Sequence, residues 1–248
     1  MVQAKQIITN IKKTNFILFS TRNTRLPQSP VVKIDSTPIT QVSSTKFLGI
    51  IINENLTWTN HIQTVKQKIL KNIGIISHLR KNLPLSVLKS LYQTLVQPYF
   101  SYCNIVWGIN RSTEFNKLFL CQKKVIRIIT HSRWRSHSAP LFKELHILPL
   151  NLLNDFMVGC FMYICTHNLI CPQYFINMFS TNAVIHNYDT RSKNNIHIVS
   201  HKLTLRTHTI RFYGPKLWNS LPEYLRSLPS LHKFKCRYKQ LLLSRLDH

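Results

Sequence analysis

The sequence predicts an α+β fold: a short N-terminal antiparallel β-sheet or hairpin, then a predominantly α-helical bundle, then a turn-rich C-terminal extension. Three observations carry this. Up to about residue 57 the chain is a series of short strand-forming runs separated by turn residues. From about Thr59 apolar residues recur every three or four positions. After Ser180 that period fades and returns only near the C-terminus. The regions are taken as 1–57, 58–180 and 181–248.

Candidate strands are Asn15–Ser20, Val31–Ile34 and Ile39–Val42, with Asp35-Ser36-Thr37-Pro38 as the intervening turn. Thr45–Ile52 is the strongest strand, with Gly49 in its interior. The chain has only five glycines in 248 residues, and a glycine there weakens a strand unless a bulge or a close backbone approach requires it.

The spacing of Ile62, Val65, Ile69, Ile73, Ile76, Leu79 and Leu83 predicts one helix over Thr59–Leu83, with Lys66, Lys68, Lys71, Arg80 and Lys81 off the apolar stripe. Pro84 suits the first turn of a second helix whose core face is Leu88, Leu91, Tyr92 and Leu95, and Pro98 breaks or kinks it. A third helix runs over Thr113–Thr130, capped by Thr113. It buries Leu118, Val125, Ile128 and Ile129 and exposes Lys117, Lys123, Lys124 and Arg127. HSRWRSH (His131–His137) is a polar junction. A core helix spans Leu150–Asn168. Asn187–Ser200 is an exposed loop, YGPKLWNSLP (Tyr213–Pro222) is turn-rich, and a last helix covers Ser230–Ser244.

The charge balance is extreme. Lys and Arg number 33 against eight acids, for a formal +25 at pH 7. The excess is distributed as +5, +11 and +9 over the three regions, so no basic tail accounts for it. A polyanionic partner is the expectation. Six cysteines without a CxxC pair suit buried thiols in a reducing compartment. The first residues lack a signal-peptide apolar core, and Asp155–Ile170 is too short and too polar to span a bilayer. An intracellular protein, cytoplasmic or nuclear and not secreted, with no membrane partner is the expectation.

Catalysis has little to draw on. Two-metal phosphoryl transfer needs carboxylates converging on ions roughly 3.5–4 Å apart. Here no two acids lie closer than eleven residues, and none forms an Asp-Asp or Asp-x-Asp pair. Cys160, Cys165, His167 and Cys171 lack the ligand spacing of a structural zinc site. No GxSxG, HExxH or P-loop pattern occurs. Trp58, Trp107 and Trp218 read as core residues, not stacking platforms.

Several stretches then carry a resemblance: KKTNFILFS (Lys12–Ser20), KIDSTPITQVSSTKFLGIIINENLTWTNHI (Lys33–Ile62), LYQTLVQPYFSYCNIVWG (Leu91–Gly108), LPLNLLNDF (Leu148–Phe156) and YGPKLWNSLP. In collinear order they resemble the C-terminal part of reverse transcriptases of non-LTR, LINE-type, Jockey-like retrotransposons. The resemblance implies that the catalytic Tyr-x-Asp-Asp motif of the palm lies ahead of the region matching Lys12–Ser20. Lys13 and Thr14 would match the Lys-Thr pair beyond the catalytic turn, although in this chain Lys13 reads first as a solvated lysine. Phe47, Leu48 and Gly49 would be the primer grip, with Gly49 where a primer passes close to the backbone. The helices over Thr59–Thr130 would be the thumb, and the chain beyond Leu148 a C-terminal extension.

It further implies a truncated fragment of an RNA-directed DNA polymerase that binds an RNA–DNA template–primer hybrid. No catalytic residue, metal site, cofactor or small-molecule substrate is expected in this chain; Mg²⁺ is expected only for the full-length parent enzyme. Phosphate contacts are expected from Lys12, Lys13, Lys66, Lys68 and Lys71 on the N-terminal side. Arg80, Lys81, Lys123, Lys124 and Arg127 would extend them. The alternatives are a stand-alone basic nucleic-acid-binding protein and a remnant of a decayed element.

Overall fold

A computed structural model of the chain describes residues 10, 14–20, 30–186, 190–200 and 204–247. Strands are few and short. β1 (Asn15–Phe16) pairs in parallel with β4 (Thr40–Gln41), while β2 (Lys33–Ile34) and β3 (Thr37–Pro38) form a small antiparallel pair. β5 (Ser44–Phe47) and β6 (Ile50–Asn53) form the antiparallel hairpin, in register from Ser44 opposite Asn53 to Phe47 opposite Ile50.

This changes the sequence reading in two respects. The expected antiparallel sheet is a set of separate two-stranded ladders, one of them parallel. The expected single strand over Thr45–Ile52 is two strands, because Leu48 (φ 45°) and Gly49 (φ 84°) both lie in the left-handed region and reverse the chain. Paired positive φ values match the twist of the flanking strands, which is why two-residue hairpin turns adopt them. Gly49 therefore serves a turn.

The chain divides into two units, Met1–Thr64 and Val65–His248, with the division inside α1 (Thr59–Leu79). α1 ends four residues before the expected Leu83, and the Asn82 amide caps back onto Leu79 O at 3.0 Å. α2 (Leu85–Leu95) starts at Pro84, and Pro98 lies in the first turn of the short α3 (Gln97–Ser101). After α4 (Asn104–Trp107) comes α5 (Thr113–Ile129), whose cap is Ser112, one residue earlier than expected; its hydroxyl accepts from the Phe115 amide at 3.4 Å. α5 buries Leu118, Val125 and Ile129 as expected, but Ile126 is fully buried in place of the half-exposed Ile128.

α6 (Ser138–Glu144) leads to α7 (Leu150–Thr166), which is buried on nearly all sides. A helix apolar all round belongs at the centre of a helical domain, and α3, α4 and α5 pack on it. After α8 (Gln173–Ile176), α9 (Asn182–Ile185) and α10 (Thr204–Thr207) come α11 (Ile210–Asn219), α12 (Glu223–Arg226) and α13 (Leu231–Ser244). α11 and α13 make the most extensive contacts with α7. The approach is close because glycines stand at both crossings. A Cβ on Gly159 would lie 2.5 Å from Tyr238 Cε1, and one on Gly214 2.6 Å from Met162 Sδ.

Two further expectations change in this region. YGPKLWNSLP is mostly α11, helical through Pro215. The described part of the Asn187–Ser200 loop is anchored, with Ile196 buried and its backbone N–H and C=O both paired with the Asn219 side chain at 3.0 and 2.8 Å. An Asn side chain here does the work of a neighbouring strand, satisfying buried backbone groups. No helix among the described residues is long and apolar enough to cross a membrane.

Candidate nucleic-acid interface

α1 directs Val65, Ile69, Ile73 and Ile76 into the core and has no acidic residue along its length. Lys66 is half-buried, Lys68 and Lys71 are exposed, and Arg80 and Lys81 follow beyond its end, half-buried and exposed. Lys68 Nζ sits 5.8 Å from the ring centroid of Tyr99. Lys66 and Lys71 face no carboxylate among the described residues.

On α5 the four cations differ in their surroundings. Lys117 is neutralised by Glu114 at 2.6 Å, and Lys123 Nζ lies 4.3 Å from the centroid of Phe119. Lys124 is exposed and without an acidic neighbour among the described residues. Arg127 is half-buried and donates from Nε to Ser136 O at 2.8 Å, bracing the loop that follows α5. Lys66 and Lys124, from different helices, meet electrostatically at Cys121: burial pushes its thiol pKa up, and both ammonium groups pull it back. Like charges gathered without counter-charge favour an anionic ligand.

Phe47, Leu48 and Gly49 form the tip of the β5–β6 hairpin, with Phe47 62% and Leu48 73% exposed. The base of the hairpin is tied by Asn53, whose side chain donates to Thr57 Oγ1 at 2.7 Å and accepts from the Thr57 amide at 3.0 Å. Lys12 and Lys13 lie outside the described residues.

A further group of cations lies on α13, where Lys233, Lys235 and Arg237 are exposed opposite the buried Phe234, Tyr238 and Leu242. Half-burial lowers the pKa of Lys239, and the Lys89 ammonium of α2 pushes it the same way. Sequence reading also passed over Trp134, which is 76% exposed while Trp107 and Trp218 are buried as expected. The signal was the alternation of Arg and Trp in HSRWRSH. Among the described residues no group of three or more His, Cys, Asp or Glu is placed to hold a metal ion.

Against known proteins, the chain is 27% identical over 142 residues to the probable RNA-directed DNA polymerase from transposon X-element of Drosophila melanogaster, covering 56% of this chain and 15% of that protein. It is 25% identical over 141 residues to the RNA-directed DNA polymerase from mobile element jockey of the same fly, with the same 56% and 15% coverage. The jockey polymerase of Drosophila funebris is 29% identical over 108 residues, covering 42% of this chain and 12% of that protein. No family model matches the chain, and no solved structure matches it. Over about half its length the chain is thus similar to part of the non-LTR retrotransposon RNA-directed DNA polymerases, the kind its motifs resemble, and it spans only 12–15% of the length of these relatives.

Proposed function

We propose that this chain is a template–primer-gripping part of a reverse transcriptase, holding an RNA–DNA hybrid by its phosphates without performing the polymerisation step itself. The observation that carries this reading is the pair Lys66 and Lys124, from α1 and α5, whose ammonium groups both act on Cys121 with no carboxylate facing them among the described residues, and Lys71 adds an exposed cation on α1. A polymerase must hold duplexes of any sequence, so its grip calls for Lys and Arg contacts to backbone, not base readout. An A-form-like hybrid suits recognition by shape and charge.

In this reading the β5–β6 hairpin is the primer grip. Its tip presents Phe47 at the end of β5 and Leu48 in the two-residue turn, and a hairpin suits the task because reacting atoms must be held about 3–3.5 Å apart. The dispersed acids supply no paired carboxylates for two ions, so phosphoryl transfer is assigned to the larger parent enzyme with its Mg²⁺. Lys12 and Lys13 would add contacts on the N-terminal side.

The test is titration of an RNA–DNA hybrid against the chain and its K66E/K71E/K124E variant at several salt concentrations. The variant should lose binding, and the wild type should weaken steeply with salt. Unchanged affinity in the variant would reduce these lysines to solvated side chains. Primer extension by this chain alone on an RNA template with Mg²⁺ would overturn the assignment of chemistry elsewhere.

One observation favours a second reading, a stand-alone nucleic-acid-binding protein: the excess charge is spread over all three regions. It predicts similar affinity for hybrid and for double-stranded DNA, whereas a template–primer grip prefers the hybrid.

A further inference from the structure

Trp134 is an exposed indole on a tightly braced loop. A scattered apolar residue on a surface needs no explanation, but this one has a built setting. The Ser136 amide closes a turn onto Arg133 O at 3.0 Å, with Trp134 and Arg135 as its central residues. Ser132 N donates to Arg127 O at 3.0 Å, Arg127 Nε donates to Ser136 O at 2.8 Å, and the Thr130 and Ser132 hydroxyls are paired at 2.8 Å. The backbone is thus tied down on both sides of a side chain left 76% exposed. The Arg135 guanidinium lies 4.6 Å from the indole centroid, and Arg133 and Arg135 are both exposed.

We propose that Trp134 is a stacking platform for an unpaired base of single-stranded nucleic acid, with Arg133 and Arg135 taking the flanking phosphates. An indole accepts the π-face of any base, and cations beside it follow the backbone, the combination by which single strands are bound without sequence preference. A guanidinium over one face of the ring orients it and leaves the other face for a base. Hybrid binding by Lys66, Lys71 and Lys124 is a separate site, so the two stand or fall independently.

The experiment uses the full chain, a twelve-nucleotide oligothymidylate and a blunt RNA–DNA hybrid, read by tryptophan fluorescence and by anisotropy of the labelled nucleic acid. Single-strand binding should quench emission in the wild type. W134L should abolish that quenching and weaken single-strand binding about tenfold, with the salt slope unchanged. R133A/R135A should keep part of the quenching and flatten the slope of log affinity against log salt by about 0.7 for each phosphate no longer neutralised. Because all three side chains are exposed, circular dichroism should match the wild type in each variant. No quenching in the wild type, or equal single-strand affinity in W134L, overturns the platform even if the hybrid is bound normally. Quenching without any hybrid binding leaves the platform standing and removes the template–primer grip. Self-association that disappears in W134L, with no effect of oligonucleotide, would make the indole a contact between copies and also overturn the proposal.

Discussion

Arg111 Nη2 lies 2.7 Å from Asp155 Oδ1, and the same carboxylate oxygen accepts the hydroxyl of Tyr213. Asp155 thus joins the segment before α5 to α7 and to α11. Its partners are unequal in burial: the side chain of Asp155 is 12% exposed and that of Arg111 43%. Removing the carboxylate should cost more than removing the guanidinium, because it takes the acceptor from both Arg111 and Tyr213, whereas without Arg111 the carboxylate still accepts from Tyr213. D155A is expected to lose about 2–3 kcal/mol in urea unfolding and R111A at most about 1 kcal/mol. Equal losses would mean that the ion pair, and not the buried acceptor, dominates.

Alkaline pH should unfold the protein from above pH 10. Burial, before any other cause, holds the hydroxyls of Tyr92, Tyr213 and Tyr238 protonated well above the ordinary value of 10.0; at Tyr213 the hydrogen bond to Asp155 adds to it. A folded-state pKa raised above the unfolded one favours the neutral phenol. That stability is complete below pH 10 and is lost as pH rises through the unfolded value toward the folded one. The urea midpoint should fall over that range, and less so in Y92F, where Gln122 Nε2 keeps its bond to Leu148 O. A midpoint equally pH-dependent in Y92F would remove Tyr92 from the account.

The two close helix crossings should respond differently to an added methyl. At Gly159 the obstacle is Tyr238, whose ring stacks on Phe156 at 5.9 Å and whose hydroxyl donates to Asp155 O at 3.2 Å, so it cannot withdraw. At Gly214 the obstacle is the thioether of Met162, a flexible chain end. G159A is expected to destabilise by about 1–3 kcal/mol even after the gain in helix propensity, and G214A by clearly less. Thermal unfolding of the pair gives the comparison, and a reversed order would show that α11 is the less adjustable neighbour.

For the hairpin, G49A should cost about 1–2 kcal/mol locally, because a Cβ is disfavoured at φ 84°. L48N should stabilise the same turn, since Asn tolerates the left-handed region better than Leu. Amide hydrogen exchange at Ile50 and Phe47 reports both, with faster exchange in G49A and slower in L48N. No change in either would show that the turn is held by the strands and not by its own residues.

Period and punctuation made the long elements legible. Ile69, Ile73 and Ile76 mark α1, and Ser230, expected as the first residue of the last helix, is its cap, accepting from the Lys233 amide at 3.3 Å. Turn chemistry was less visible: Leu48 is apolar and stands where Asn usually signals a hairpin, so STKFLGIIIN reads as one strand. Pro215 concealed a helix in the same way. Buried polar groups were the least visible, because their partners are far away in the chain. Gln122 donates to Tyr92 Oη at 2.9 Å and to Leu148 O at 3.0 Å while accepting from the Leu150 amide at 2.7 Å. Its position four after Leu118 and three before Val125 puts it on the apolar stripe, the one clue to its burial. At the candidate interface, composition pointed to a polyanion, but only the fold separates Lys117, already paired, and Arg127, partly engaged, from Lys66 and Lys124.

The locking of α13 onto α7 also sets the thermodynamics of any encounter with a polyanion. Lys233, Lys235 and Arg237 are mounted on a helix whose opposite face is held by Phe234 and Tyr238, so docking would order side chains but fold no backbone. Association through such a preformed array should show a small heat-capacity change and release of counterions as its main entropic gain. A disordered basic tail would instead carry the large negative heat-capacity change of coupled folding.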